Sequence, residues 1–213
     1  MSDFIQQTIS GFEAMSAWEY IAVGLSLIYM LLAMKQSLWC WPAAFFSTLI
    51  YTLLFFNGAL LMESLLNIFY MVMALYGWHS WRQNAANPGS TGGDNYLPVE
   101  SWSATLHHRS ILITLAVAVG LGYIMDNYTH ADYAYLDTLT TCFSIVATYL
   151  LAKKVLENWL YWVVIDAVSI YLYVSKGYYP TAVLFVFYTV MALINYFQWR
   201  QTLPGKNLRP AVS

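Results

Sequence analysis

The sequence predicts an all-α integral membrane protein of seven transmembrane helices, built as two parallel three-helix repeats joined by one linking helix. Three observations predict it. The chain is 60% hydrophobic and only 9% charged, against about 25% charged in ordinary globular domains. Its apolar residues gather into seven runs near bilayer length. The first three of those runs recur, in part letter by letter, as the last three.

The seven expected spans are Trp18–Met34, Trp41–Phe56, Leu60–Trp78, Ile111–Tyr128, Leu136–Ala152, Trp159–Val174 and Pro180–Gln198. Before them, Phe4, Ile5, Ile9 and Phe12 form an apolar stripe among polar residues, which suits a short helix lying on the membrane surface. Asp3 and Glu13, with no basic residue nearby, argue against a signal peptide. Between the third and fourth spans, Gln83–His108 carries Pro88, Gly89, Gly92 and Gly93 and reads as a flexible loop. The tail Leu203–Ser213 reads as disordered. Cys40 and Cys142 stand alone in or beside apolar runs, as small buried side chains do.

Basic residues set the expected orientation. Lys35, Arg82, Arg109, Lys153, Lys154, Arg200, Lys206 and Arg209 fall on one side, and Lys176 alone falls on the other with Asp3, Glu13, Asp126 and Asp132. The N-terminus is therefore expected outside, and the long loop and C-terminus in the cytoplasm. No basic patch suits nucleic acid. The histidines His79, His107, His108 and His130 are scattered, and no paired acids or Ser-His pair suggest an intramembrane enzyme. A seven-span photoreceptor needs a lysine in the last span, and Pro180–Gln198 has none.

The repeat is explicit. Leu31-Leu32-Ala33-Met34-Lys35 returns as Leu150-Leu151-Ala152-Lys153-Lys154, Phe69-Tyr70 as Phe187-Tyr188, Met73-Ala74-Leu75 as Met191-Ala192-Leu193, and Trp81-Arg82 as Trp199-Arg200. The offset is 119 residues early and 118 late. Repeat one is thus 18–82, the linker loop and span four 83–128, and repeat two 136–200. Three crossings and a linking crossing return the second repeat to the starting side, so the repeats are parallel.

The candidate site grows from the sixth span. Trp159, Trp162, Asp166, Ser169 and Tyr173 are spaced three, four, three and four apart, which puts all five on one helix face. An acid in a membrane span costs about 2.5–3.5 kcal/mol on insertion scales, and such acids are functional by default. Indoles beside a carboxylate can hold a flat cationic ring by cation–π attraction and counter-charge. Trp159, at the helix start, also suits an interfacial anchor.

Polar positions that break the repeat are the better substrate candidates, because matched positions serve the scaffold. Glu63, Asn67 and Tyr70 share a face of span three, and Tyr188 and Asn195 lie on the corresponding face of span seven. Tyr70 and Tyr188 survive as a pair that suits substrate contact or helix–helix hydrogen bonding equally. Glu63 fits an outer mouth. Asp137, Thr141, Ser144 and Thr148 form a polar stripe on span five, whose hydroxyls can also bond their own backbone. At offset 119, Asp166 is matched by Ser47 and Trp162 by Ala43.

These segments resemble the bacterial Pnu family of vitamin transporters. Lys154-Val155-Leu156-Glu157-Asn158-Trp159-Leu160-Tyr161-Trp162 is similar to that family's Glu-Asn-Trp-x-x-Trp motif, and Leu75-Tyr76-Gly77-Trp78-His79-Ser80-Trp81 to its Tyr-Gly-Trp-x-x-Trp segment. Leu136-Asp137-Thr138 and Ser144-Ile145-Val146-Ala147 resemble its fifth span. The resemblance covers about 18–200. It implies a SWEET-like three-plus-one-plus-three fold, a homotrimer in the bacterial cytoplasmic (inner) membrane, and no cofactor. It also implies facilitated diffusion of nicotinamide riboside, with a cytoplasmic kinase trapping the vitamin. Where some nicotinamide riboside carriers have an amide, this chain has Asp166, which keeps thiamine as an alternative cationic aromatic substrate. A proton-coupled symporter, with Glu63, Asp137 or Asp166 as relay, is the other alternative.

The orientation has a direct test. A single cysteine at Ser90 or Ser213 is expected to stay closed to an impermeant thiol reagent in intact cells, and one at Ser2 or His130 to react. Labelling of Ser90 from outside would reverse the topology.

Overall fold

A computed structural model describes residues 2–58, 61–83, 97–129 and 133–203. Ser90, His130, Asp132 and the tail from residue 204 lie outside the described residues. The elements are α1 (Ser2–Glu13), α2 (Ala17–Met34), α3 (Cys40–Asn57), α4 (Leu61–Gln83), α5 (Ala104–Tyr128), α6 (Ala134–Ala152), α7 (Asn158–Ser175) and α8 (Tyr179–Gln201). Each of the seven expected spans, as far as it is described, falls in its own helix, Leu60 at the start of the third lying outside the described residues, and α1 covers the expected surface stripe. Helices α2, α3, α5, α6 and α8 are long and apolar enough to cross a membrane, so the chain is an all-helical integral membrane protein. The aromatic and polar residues of α4 and α7 lower their hydropathy. No strand occurs among the described residues.

Helix ends follow their local chemistry. Ser16 and Glu19 form a capping box at the start of α2, and Ser103 caps α5 through the Leu106 amide. That cap starts α5 well before the expected span, so His107 and His108 are helical instead of belonging to the loop. Residues 97–101 are also ordered: Glu100 forms an isolated bridge with Val155, its amide bonding the Lys154 carbonyl at 3.0 Å, and its carbonyl accepting from the Leu156 amide at 2.8 Å. Val99 is buried beside this strap. Side-chain patterning does not reveal a segment held mainly by backbone bonds.

The chain divides into two compact units. One comprises the described residues of Met1–Met15, Trp102–Ala147 and Trp159–Leu193. Within it, a Cβ on Gly11 would lie 2.4 Å from Pro180, so α1 rests against the start of α8. Gly122 likewise admits Tyr135, and the Thr138 hydroxyl donates to the Ala118 carbonyl at 3.1 Å, drawing α5 and α6 together.

The other unit comprises the described residues of Ser16–Ser101, Thr148–Asn158 and Ile194–Ser213. Here α3 packs on α2 and α4. The Ser47 hydroxyl donates to the Ala22 carbonyl at 2.9 Å, and Gly77 leaves room for the buried Trp41 ring. Trp81 is perpendicular to Trp41 at 5.2 Å and tilted against Trp199 at 6.1 Å. The Trp81 indole donates to the Ala152 carbonyl at 3.2 Å, and the Trp199 indole to the Ala33 carbonyl at 3.0 Å. The turns after α2 and α6 are built alike. Gln36 and Lys154 both adopt positive φ, 52° and 53°. The two then meet, the Lys154 ammonium donating to the Gln36 carboxamide oxygen at 3.1 Å and standing 4.5 Å over the Trp81 ring.

Lys154 is fully buried, and burial holds its ammonium down at about 8, against the ordinary 10.5. The folded chain then binds fewer protons than the unfolded chain across that window, so stability rises with pH from about 8 to about 10.5. The gain is of the order of 3 kcal/mol, at about 1.4 kcal/mol per pH unit. Thermal melts in detergent across this range should show a rise in wild type that Lys154→Met lacks. Parallel pH profiles would refute it.

Candidate functional site

Helix α7 carries the main candidates. Trp159, Asp166 and Ser169 are 2%, 3% and 5% exposed, while Trp162 and Tyr173 are half-buried. Burial of Trp159 takes it away from the exposed anchor role. Asp166 lies seven residues beyond Trp159, about 10 Å along the axis at 1.5 Å per residue. Neither a hydrogen bond nor an opposite charge from the described residues reaches its carboxylate. A buried carboxyl without such a partner is costly.

Tyr173 and Tyr188 are linked through a third aromatic residue. Phe185 stacks on Tyr173 at 5.2 Å and meets Tyr188 edge-on at 5.9 Å. Asp137 does not stand open as part of a polar stripe: its carboxylate takes the Lys176 ammonium at 2.9 Å. Thr141, on the same helix, is half-buried. The neighbouring Thr138 and Thr140 hydroxyls bond backbone carbonyls of their own helix, as Ser and Thr can in membrane spans.

Glu63, Asn67, Tyr70 and Asn195 belong to the second unit. Glu63 is exposed, and the Asn67 amide is used on the Glu63 carbonyl at 2.8 Å. Tyr70 is half-buried beside Phe69. Asn195 is fully buried, and among the described residues neither its nitrogen nor its oxygen has a hydrogen-bond partner. Each buried polar group left so costs about 1–3 kcal/mol.

Sequence reasoning missed Asn158, which is fully buried, with its amide on the Val155 carbonyl at 2.6 Å and its oxygen unpartnered among the described residues. Its place between Glu157 and Trp159 was the available signal. It missed the burial of Lys154 because a lysine in a helix-connecting turn reads as a solvated charge. Among the described residues, no cluster of His, Cys, Asp or Glu could hold a metal ion.

The comparisons agree with this architecture. The model of the nicotinamide mononucleotide transporter family matches residues 16–201. The chain is 25% identical over 169 residues to the nicotinamide riboside transporter PnuC of Escherichia coli, covering 70% of this chain and 71% of that one. It is 28% identical over 180 residues to the riboflavin/roseoflavin transporter RibM of Streptomyces davaonensis, covering 82% and 80%. A crystal structure of the vitamin B3 transporter PnuC superposes with a TM-score of 0.73 at 17% identity, over 94% of this chain and 88% of that chain, a likeness of fold. Buried polar groups on long apolar helices, rather than paired acids or a metal cluster, are what a carrier needs, and the chain belongs to the nicotinamide mononucleotide transporter family, whose members are membrane transporters and not enzymes.

Proposed function

We propose that this chain carries a cationic aromatic vitamin, nicotinamide riboside first, by facilitated diffusion. The observation that carries the reading is Asp166, a buried carboxylate without a charge partner among the described residues, on the helix face of Trp162. The nearest chemical complement is a flat ring bearing positive charge. The relatives are named for nicotinamide riboside and for riboflavin, and an unneutralised acid favours the cation over the uncharged flavin. Thiamine, also cationic and aromatic, is the alternative substrate. Trp159, Ser169, Tyr173 and Tyr188 complete this part of the route, and Asn195 is the corresponding polar candidate in the second unit. Glu63, Asn67, Tyr70, Asp137 and Thr141 are proposed as secondary contacts.

The seven-crossing, parallel-repeat, SWEET-like arrangement is part of the same reading. It is supported by the helix ends: α2, α3 and α4 end at Met34, Asn57 and Gln83, and α6, α7 and α8 end 118 residues later at Ala152, Ser175 and Gln201. Gln36 and Lys154 keep the same offset. At 118, Trp159 pairs with Trp41 and Asp166 with Thr48, a shift of one from the pairing with Ser47. The outside N-terminus, the inner-membrane location, the homotrimer and kinase trapping stand as proposals with it.

Isothermal titration with nicotinamide riboside and thiamine should show Asp166→Asn weakening binding of the charged vitamin by about tenfold or more, since one lost buried charge contact is worth about 1.5–3 kcal/mol. Asp137→Asn, altering a part-buried pair with Lys176, should change it by less than about fivefold. Equal affinity for wild type and Asp166→Asn would remove Asp166 from the site.

Liposomes holding the protein should fill with labelled vitamin only to equal concentration, with or without a proton or sodium gradient, because identical ligand chemistry on both faces gives no net driving force. Enclosing a vitamin kinase with ATP should lift uptake above that level, since the phosphate adds charge that an acidic site repels. Concentrative uptake without kinase under an ion gradient would replace the facilitator with the symporter.

A further inference from the structure

An open recess of about 430 Å³ in the first unit is not used by any of this chemistry. It lies between α5, α6 and α7, lined by Ile111, Leu115, Leu139, Phe143, Leu160 and Val164 among others. Asp166, Ser169 and Trp162 do not line it; it opens on a different face of α7. The Thr140 hydroxyl that borders it is spent on the carbonyls of Leu136 and Asp137, both at 3.0 Å. The recess therefore offers apolar surface within a membrane-spanning bundle.

One end of the recess is polar and basic. Ile111 and Leu115 lie one and two turns beyond His107 on α5, and His108 shares that face three residues before Ile111. His107 Nδ1 is 3.1 Å from the Tyr161 hydroxyl, and the tyrosine also lines the recess. Trp102 stands against His107 at 5.9 Å. His108 and Arg109 are exposed, and neither is in an ion pair among the described residues. Ser103 caps α5 at this end, so the helix's positive pole points the same way.

We propose that this groove seats one acyl chain of an anionic phospholipid, whose phosphate is met by Arg109 and His108 at the amino end of α5. Three features agree on that occupant. The groove is open and its lining almost wholly apolar, as an acyl chain requires. Its single polar end lies at a helix terminus, where headgroups lie. Arg109 is an exposed cation there without an ion pair among the described residues, and Arg fits a phosphate with a fixed fork of donors. The Tyr161–His107–Trp102 group sets the boundary between the chain-binding and headgroup-binding parts.

Native mass spectrometry of the purified protein, titrated with phosphatidylglycerol and with phosphatidylcholine, tests it. Wild type should retain phosphatidylglycerol about fivefold better, the preference expected of one or two basic contacts. Arg109→Gln with His108→Gln should remove the preference and leave residual binding of both lipids. Leu115→Trp fills the groove and should lower retention of both. Val164→Trp, at a position 62% exposed and so tolerant of bulk, should do the same. Equal retention of the two lipids by wild type would overturn the proposal. So would full phosphatidylglycerol retention in both tryptophan variants, or their dissociating an oligomer without altering lipid binding, which would assign the groove to a second copy of the chain.

Discussion

Two indole hydrogen bonds organise one end of the second unit. The last carbonyls of a helix have no partner within it, and at a membrane such groups find little water. The Ala33 carbonyl near the end of α2 is satisfied by Trp199 from α8, and the Ala152 carbonyl ending α6 by Trp81 from α4. On the proposed repeat, each half closes a helix of the other. Neither half can then complete its own helix ends alone, so the interlock acts as a constraint on the whole fold.

The turns that follow those helices carry their own cost. A residue other than glycine in the left-handed region is unfavourable by about 1–2 kcal/mol, and both Gln36 and Lys154 are held there. Their side chains offset it by bonding each other, Lys154 also standing over Trp81 and the Gln36 amide nitrogen donating to the Thr202 hydroxyl oxygen at 2.9 Å. The strap at Glu100 secures the α6–α7 turn by backbone bonds. That turn delivers Asn158 and Trp159 into the buried start of α7, and so fixes the rotation at which Asp166 is presented.

Much of this was legible in the sequence, and the gaps have physical causes. Seven apolar runs named seven helices because burial and length decide those. The tryptophan pair Trp81 and Trp199 stood out through the repeat, yet their hydrogen bonds did not, since a shared residue type says nothing of its partner. The Leu-Leu-Ala letters recur at 119, whereas the positive-φ residues Gln36 and Lys154 lie 118 apart, because letters align side chains and turns align backbone. Asp137 read as part of an open stripe because helical spacing sees neighbours on one helix, and its partner Lys176 is 39 residues away. The Gly- and Pro-rich loop hid an ordered end for the same reason: Val99 is a single apolar residue, too little to make a pattern.

The candidate site differs from this scaffold in what it leaves undone. Several polar groups that hold helices together are satisfied: Ser47 on Ala22, Thr138 on Ala118, the two indoles on helix ends, whereas the buried Trp41 Nε1 has no hydrogen-bond partner among the described residues. Asp166 and both polar atoms of Asn195 are buried without such partners among the described residues. On the proposed repeat, these two positions correspond in sequence, at the offset of 118, to Thr48 and Gly77. On the proposed function, a cation entering beside Asp166 would supply the partner that its buried carboxyl lacks among the described residues, and leaving would remove it, which suits a carrier without an energy source.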